Sequence, residues 1–305
     1  MARLTLAEGH PDMSGNYIPT LYAAALLVEF YASTVFGAIA NTKYEGEIKK
    51  FGDKVEIRTL PAIDITDYVV GEKITYQKPA PSKITLEINK AKKWAIEVNL
   101  VDEKQSDIDY INAWAVDAAQ RMKIAIDSSI LEDIYSDVHA SNTGSAAGLE
   151  SGNINLGVSG TPLAFTSALA LDILVDAGTV LDEQNVPDEG RFVVLPAWAC
   201  GMIKKSDLQD ASITGDGRSI LRNGRIGMID RFEVFMSNNV LKNTSDTAWH
   251  AIFGQKEALT FATQLTAKET LKNPDDFGDL LRALQVYGYK VVKPEALGML
   301  YIDKS

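Results

Sequence analysis

The chain of 305 residues is 46% hydrophobic and 23% charged, a composition that excludes a disordered protein and a length that can bury a sizeable core. Thirty Lys and Arg against 41 Asp and Glu leave a formal net charge of -11, which argues against a dedicated nucleic-acid clamp, since that would carry a basic footprint. The single cysteine, Cys200, rules out an intramolecular disulfide and a cysteine-based zinc site, and suits a reducing cytosol.

Residues 1–20 hold Gly9, Pro11, Gly15 and Pro19 and little periodicity, so they read as an extended arm without an apolar run of secretory-signal length. Leu21 to Ala40 is the most apolar stretch, but Glu29 lies in its middle. An acid there costs about 2.5–3.5 kcal/mol in a bilayer, so the segment reads as a helix from about Tyr22 to Ala40 that packs on protein. Gly52-Asp53 marks a turn. Lys54 to Thr59 then alternates charged and apolar residues, as do the stretches carrying Ile84, Leu86 and Ile88 and carrying Ile96, Val98 and Leu100, which predicts three half-buried strands. Leu60 to Lys83, between the first two, holds Pro61, Gly71, Pro79 and Pro81 among β-branched residues. A long hairpin-like extension is the simplest reading, and it needs support from outside its own domain.

The longest helix signal follows. Ser106 is placed as N-cap, with Asp107 and Asp109 at the positive end of the dipole. Ile108, Ile111, Ala115, Ala118, Met122, Ile126, Ile130, Ile134 and Val138 form an apolar stripe of about thirty residues, ~45 Å long. Ser141 to Gly160 is rich in Gly, Ser and Asn and reads as a linker or mobile loop. Ala168 to Gln184 is predicted as an amphipathic helix, Arg191 to Leu195 as a buried strand, and Pro196 to about Lys205 as a helix. Further strands are predicted at 231–237, 251–253, 258–262, 284–292 and 297–302.

No constellation of catalytic residues emerges. His10, His139 and His250 lie in separate segments without metal-ligand spacing, and Cys200, between Trp198 and Met202, reads as a small buried hydrophobe. Gly215-Asp216-Gly217-Arg218-Ser219 lacks the Gly-Lys-Ser/Thr ending of a phosphate loop and reads as a turn. Asp275, Asp276 and Asp279 lack a calcium-loop pattern and read as an acid-rich helix start. Asn243-Thr244-Ser245 formally matches a glycosylation acceptor. Lys90, Lys92, Lys93 and Trp94 read as a solvated strand end rather than a nucleic-acid patch. The expectation is of no catalytic, cofactor-binding or metal residues. What stands out instead is an arm, an excursion and a long helix that one chain cannot cover by itself.

In order and spacing, several segments together resemble the major capsid proteins of tailed bacteriophages. They are Gly52 to Arg58, Asp67-Tyr68, Gly71 to Gln77, Ile84 to Asn89, Trp94 to Val98, Val101 to Asp109, Arg191 to Pro196 and Arg282 to Leu297. The resemblance implies an α+β, HK97-like phage capsid fold with an N-terminal arm, an extended β-hairpin loop, a long spine helix, and peripheral and axial domains. It places the arm with its helix at 1–49, the extended loop and flanking strands at 50–100, the peripheral domain with the spine at 101–164 and the axial domain at 165–275. Residues 276–305 become C-terminal strands returning to the peripheral domain. Neither an inserted accessory domain nor a fused scaffold segment is expected.

The implied function is a structural subunit, not an enzyme. It would self-assemble into hexamers and pentamers of an icosahedral shell around double-stranded DNA. Implied partners are copies of itself, a scaffolding protein, a portal and decoration proteins, with only non-specific DNA contact and no membrane. The implied location is the virion, and the host cytoplasm during assembly. An encapsulin-type nanocompartment shell uses the same fold and stays open as an alternative, as does an α/β enzyme.

Overall fold

The computed structural model describes residues 34–43, 54–58, 61, 63–73, 75–80, 83–99, 110–206, 227–274 and 276–304. The expected arm at 1–20, most of the expected helix at 22–40, the Gly52-Asp53 turn and the Ser106 cap lie outside these residues. Within the described residues that helix does not run unbroken to Ala40: residues 34 and 35 are not helical, and only a short α1, Phe36–Ile39, follows them.

Two strands, β1 (Lys54–Arg58) and β2 (Lys83–Glu87), pair antiparallel, with Lys54 opposite Glu87 and Arg58 opposite Lys83. Their alternation puts Ile57 and Leu86 on one buried face, with Val55 and Ile84 beside them. That face rests on Ala262 and Val286 of a second sheet and on Val292 just beyond it. The second sheet has the order β3–β10–β9, built from β3 (Lys90–Asn99), β10 (Gly278–Val291) and β9 (Leu259–Lys272), all antiparallel. The two sheets approach so closely that a Cβ on Gly288 would stand 2.2 Å from the Glu87 carbonyl oxygen, so only glycine fits there.

The long helix α2 spans Tyr110–Asp133, roughly 36 Å at 1.5 Å per residue. Its last turn tightens into a 3-10 turn at Ile134–Asp137, so the α-helix ends about five residues before the apolar stripe does. Ala115, Ile126, Ile130 and Ile134 of the predicted stripe are buried, Met122 packs at its edge, and Lys123 is exposed. Ala115 meets Val98 and Leu281 of the three-stranded sheet, with Trp94 and Ile96 packed alongside. Ile126, Ile130 and Ile134 join the main core.

That core surrounds a six-stranded sheet of order β4–β11–β8–β5–β7–β6. Its strands are β4 (Leu163–Ala164), β5 (Arg191–Leu195), β6 (Met228–Ile229), β7 (Phe232–Met236), β8 (Trp249–Gln255) and β11 (Leu297–Asp303). Every residue of β5 is buried, as a continuous apolar run in a central strand requires. Helices α3 (Ala170–Glu183) and α4 (Ala197–Lys204) pack against each other, and α3 also against β11.

Three expectations are corrected. Residues 141–160 are not a linker. Ala147 and Leu156 are fully buried, Ala147 exchanges hydrogen bonds with Ile154, and Tyr301 N donates to the Leu156 carbonyl. Glycines at positive φ, such as Gly144 and Gly157, fold the segment back onto β11, and the Gly157 position leaves no room for a Cβ beside the Tyr301 carbonyl. Next, β9 and β10 are far longer than predicted. Thr263 to Lys272 has few apolar residues, so its own pattern is silent and the cross-strand partner decides its structure. Finally, the two terminal strands part company. β10 lies beside β3, but β11 pairs with β8 in the six-stranded sheet instead of returning with it.

One carboxylate ties the units together. Asp127 is fully buried on α2 and accepts hydrogen bonds from Val35 N and Phe36 N, both at 2.9 Å, and from Asn239 Nδ2 at 2.7 Å. It thereby caps α1 from another element. The chain leaving α1 then adds to the edge of β9, with Asn41 bonded to Leu259 and Phe261. In the unassembled subunit, Asp127→Ala should lower stability by about 1–3 kcal/mol for each partner left unsatisfied. Ile126→Asp should cost several kcal/mol, and Lys123→Asp should stay within ~0.5 kcal/mol. Urea denaturation of the three variants checks this, and equal effects would contradict the packing described.

Candidate assembly surface

The segment between β1 and β2 carries no backbone ladder among its described residues. It is held as a hairpin-like excursion by side chains instead. Gln77 clamps Asp64 twice: Asp64 N donates to its Oε1 at 3.0 Å, and its Nε2 donates to the Asp64 carbonyl at 2.8 Å. At the far end Glu72 N donates to the Val69 carbonyl, with Gly71 at φ 89° making the turn. The excursion displays Ile63, Tyr68 and Val69, with Ile65 97% exposed, Val70 87% and Tyr76 89%. Six large apolar side chains on one projecting element form the kind of surface that a partner covers.

Its base is firm. The apolar face of β1 and β2 is packed, and the ion pairs Lys54–Glu87 at 2.9 Å and Lys83–Glu56 at 2.7 Å flank it. Such exposed pairs contribute about 0–1 kcal/mol each, so they set register while the apolar packing carries the stability.

A second polar centre braces the six-stranded unit. The Arg191 side chain is fully buried at the head of β5. It donates to Asp182 Oδ1 at 2.7 Å and to the carbonyls of Val186, Pro187 and Gly178. Arg231 binds Asp182 and Asp188 from the other side, at 2.8 and 2.9 Å. Asp230 and Arg231 form the tight turn between β6 and β7, both at positive φ, 43° and 67°. For non-glycine residues that conformation is strained, and the double ion pair of Arg231 offsets the strain. Burial pushes the Asp182 carboxyl upward, but Arg231 and Arg191 together outweigh it and hold the group below the ordinary carboxylate range.

The residues considered for chemistry are scattered and occupied. His250 lies between the rings of Tyr135 and Tyr301, at 4.4 and 4.8 Å, and burial lowers its pKa. His139 Nδ1 accepts from Ser141 N in a turn. Burial pushes the Cys200 thiol up to about 11, which leaves it protonated and unreactive at neutral pH. Asn243 Nδ2 donates to the Tyr301 hydroxyl, and that hydroxyl also binds Asp246. Lys90 stands at the strand end expected for it, as the first residue of β3, where it lies over the Tyr289 ring and pairs with Asp133. Asp276 and Asp279 stand at the β9–β10 turn and the start of β10, not at a helix N-terminus. His10, Gly215 to Ser219 and Asp275 lie outside the described residues. Among the described residues no group of three or more His, Cys, Asp or Glu could hold a metal ion, and no helix is long and apolar enough to cross a membrane.

Asp127 and Arg191 were missed by sequence reasoning. The signal for Asp127 was present, as an acid set between Ile126 and Ile130 on the buried stripe. Arg191 opens an apolar strand, and nothing in the sequence says which acids receive it.

The described residues thus form an α+β body from which an apolar loop projects into solvent. The comparisons agree. A family model described as phage capsid protein matches residues 85–302. A solved chain of Mycobacterium phage Che8 is 27% identical, with 94% of this chain and 97% of that one covered and a TM-score of 0.77. The capsid of cyanophage P-SCSP1u is 14% identical over 95% and 94% of the two chains, with a TM-score of 0.71. The mature capsid of bacteriophage PhiM1 is 11% identical over 94% and 92%, with a TM-score of 0.70. The search of curated proteins returned no match. The chain belongs to the phage capsid protein family and has the HK97-like fold. It is a self-assembling structural subunit of an icosahedral bacteriophage capsid, and its place is the virion.

The Arg191–Asp182–Arg231 centre makes a pH prediction. A carboxyl whose folded pKa is depressed adds stability that is present above its unfolded pKa of about 3.9 and is lost as pH falls through the folded value. Asp182→Asn should therefore lower stability at neutral pH and flatten the loss of stability below about pH 4. Denaturation of the unassembled chain from pH 7 to pH 3 measures it, and an unchanged acid limb would contradict the assignment.

Proposed function

We propose that copies of this chain assemble as hexamers and pentamers into a shell around double-stranded DNA, with no catalytic activity of their own. The observation that carries this is the clamped, apolar excursion at 61–80, built on a packed base and facing solvent in the single subunit. In the assembled shell a neighbouring subunit covers it.

In this reading 1–49 is the arm, 50–100 the extended loop with its strands, 101–164 the peripheral domain and 165–275 the axial domain. Residues 259–272 reach back beside β10, and only β10 of the C-terminal strands completes the peripheral sheet. A scaffolding protein, a portal and decoration proteins complete the particle, and assembly takes place in the host cytoplasm. A net charge of -11 supports weak, non-specific and salt-dependent contact with the packaged DNA, because carboxylates and phosphates repel.

Deleting residues 64–79 should leave a folded, soluble subunit and abolish correct shells. Circular dichroism reports the first and electron microscopy the second. An unfolded deletion variant, or intact shells formed by it, would overturn the role given to the loop.

A further inference from the structure

The β9–β10 hairpin ends in a tip whose described residues carry a bare aromatic ring. Phe277 is 79% exposed. Asn273 N donates to the Gly278 carbonyl at 3.0 Å and closes the turn. Gly278 lies so close to β3 that a Cβ would stand 2.3 Å from the Val98 carbonyl oxygen, so the tip is pressed onto the neighbouring strand. Asp276 takes two hydrogen bonds, from Phe277 N at 2.7 Å and from Asn99 Nδ2 at 3.0 Å. A phenyl ring and a carboxylate thus stand on adjacent residues of the turn, the carboxylate held by two hydrogen bonds. An aromatic side chain has only two rotatable bonds, so it loses little entropy when a partner receives it.

The same sheet offers a receptor. One of its faces carries Trp94, Ile96, Val98 and Leu281 and is packed with Ala115 of α2. The opposite face bears two cross-strand rows, Ala95–Arg282–Glu269 and Lys93–Leu284–Ala267. There Ala95, Ala267 and Leu284 floor a groove of about 510 Å³, with Lys93, Arg282 and Glu269 around it. Glu269 is paired with Arg282 at 2.5 Å, so Lys93 gives the rim a net positive charge. The tip presents the opposite charge beside an apolar ring.

We propose that Phe277 and Asp276 of one subunit dock into this groove of a second copy, the ring on Ala95, Ala267 and Leu284 and the carboxylate toward Lys93. The contact joins two different patches, so it is heterologous, and each subunit gives one tip and receives another. A chain cannot fill its own groove. Ala267 pairs with Leu284, six residues down the strand from Gly278, which sets tip and groove roughly 20 Å apart.

The inference rests on self-assembly, and the test separates the two. Full-length Phe277→Cys and Ala267→Cys chains are assembled singly and mixed, then oxidised with diamide. Buried Cys200 stays silent. Shells from the mixed sample should yield a disulfide-linked two-chain species on a non-reducing gel, at least tenfold above either variant alone. Shells without that species, or an equal yield from Phe277→Cys alone, overturn the contact and leave the capsid reading standing. Absence of shells from the unsubstituted chain overturns both. A second measurement uses no thiol. Phe277→Ala, at an exposed tip, should raise the critical concentration for assembly at least tenfold while circular dichroism stays unchanged. Phe277→Trp should keep the critical concentration within threefold of the original chain. An unchanged critical concentration for Phe277→Ala overturns the proposal.

Discussion

The structure turns on the buried carboxylate of Asp127. It lies fully buried on the long helix, and the segment entering α1 and the loop at Asn239 both direct donors to it. A buried acceptor of this kind is costly to leave unpaired, so the three segments stand or fall together. Through α2 the same site reaches the three-stranded sheet at Ala115, and through Ile126, Ile130 and Ile134 the core of the six-stranded sheet. The helix therefore transmits position between the two sheets. The arm leaves it in a direction set by Asp127 at one end and by the Asn41 bonds to β9 at the other.

Packing beneath the exposed parts is what holds them outward. The apolar loop at 61–80 is seated on a packed two-stranded base, and that base is pressed onto Gly288 of β10. The hairpin tip at Phe277 is likewise pressed onto β3. A large apolar surface on a soft element would collapse onto its own chain. On these supports it stays outward and available, which suits a subunit whose final stability comes from many repeated contacts between copies. The strained Asp230-Arg231 turn belongs to the same design, since its ion pairs to Asp182 and Asp188 fix the edge of the six-stranded sheet.

Much of this was legible in the sequence. The half-buried strands around Ile57, Leu86 and Val98 announced themselves by alternation, the spine by its spacing, and β5 by its unbroken apolar run. The excursion was readable because its prolines and Gly71 break regular structure while its β-branched residues forbid a solvated coil. What stayed hidden depends on partners distant in the chain. Thr263 to Lys272 is a strand because β10 lies beside it. The Gly-rich stretch to Gly160 is anchored at Ala147 and Leu156 because Tyr301 passes next to it, and a pattern of glycines looks the same in a linker. Acids and bases such as Asp182 and Arg191 carry no mark of whom they will meet.

The central claim is that the loop at 61–80 is uncovered in the subunit and covered in the shell, while the core is the same in both. Hydrogen exchange by mass spectrometry on free subunits and on purified shells tests it directly. The account predicts fast exchange of amides 63–73, 75–78 and 80 in the free subunit and at least tenfold slower exchange in shells, with β5 amides slow in both. A loop already protected in the free subunit, or one that exchanges equally fast in the shell, would contradict it.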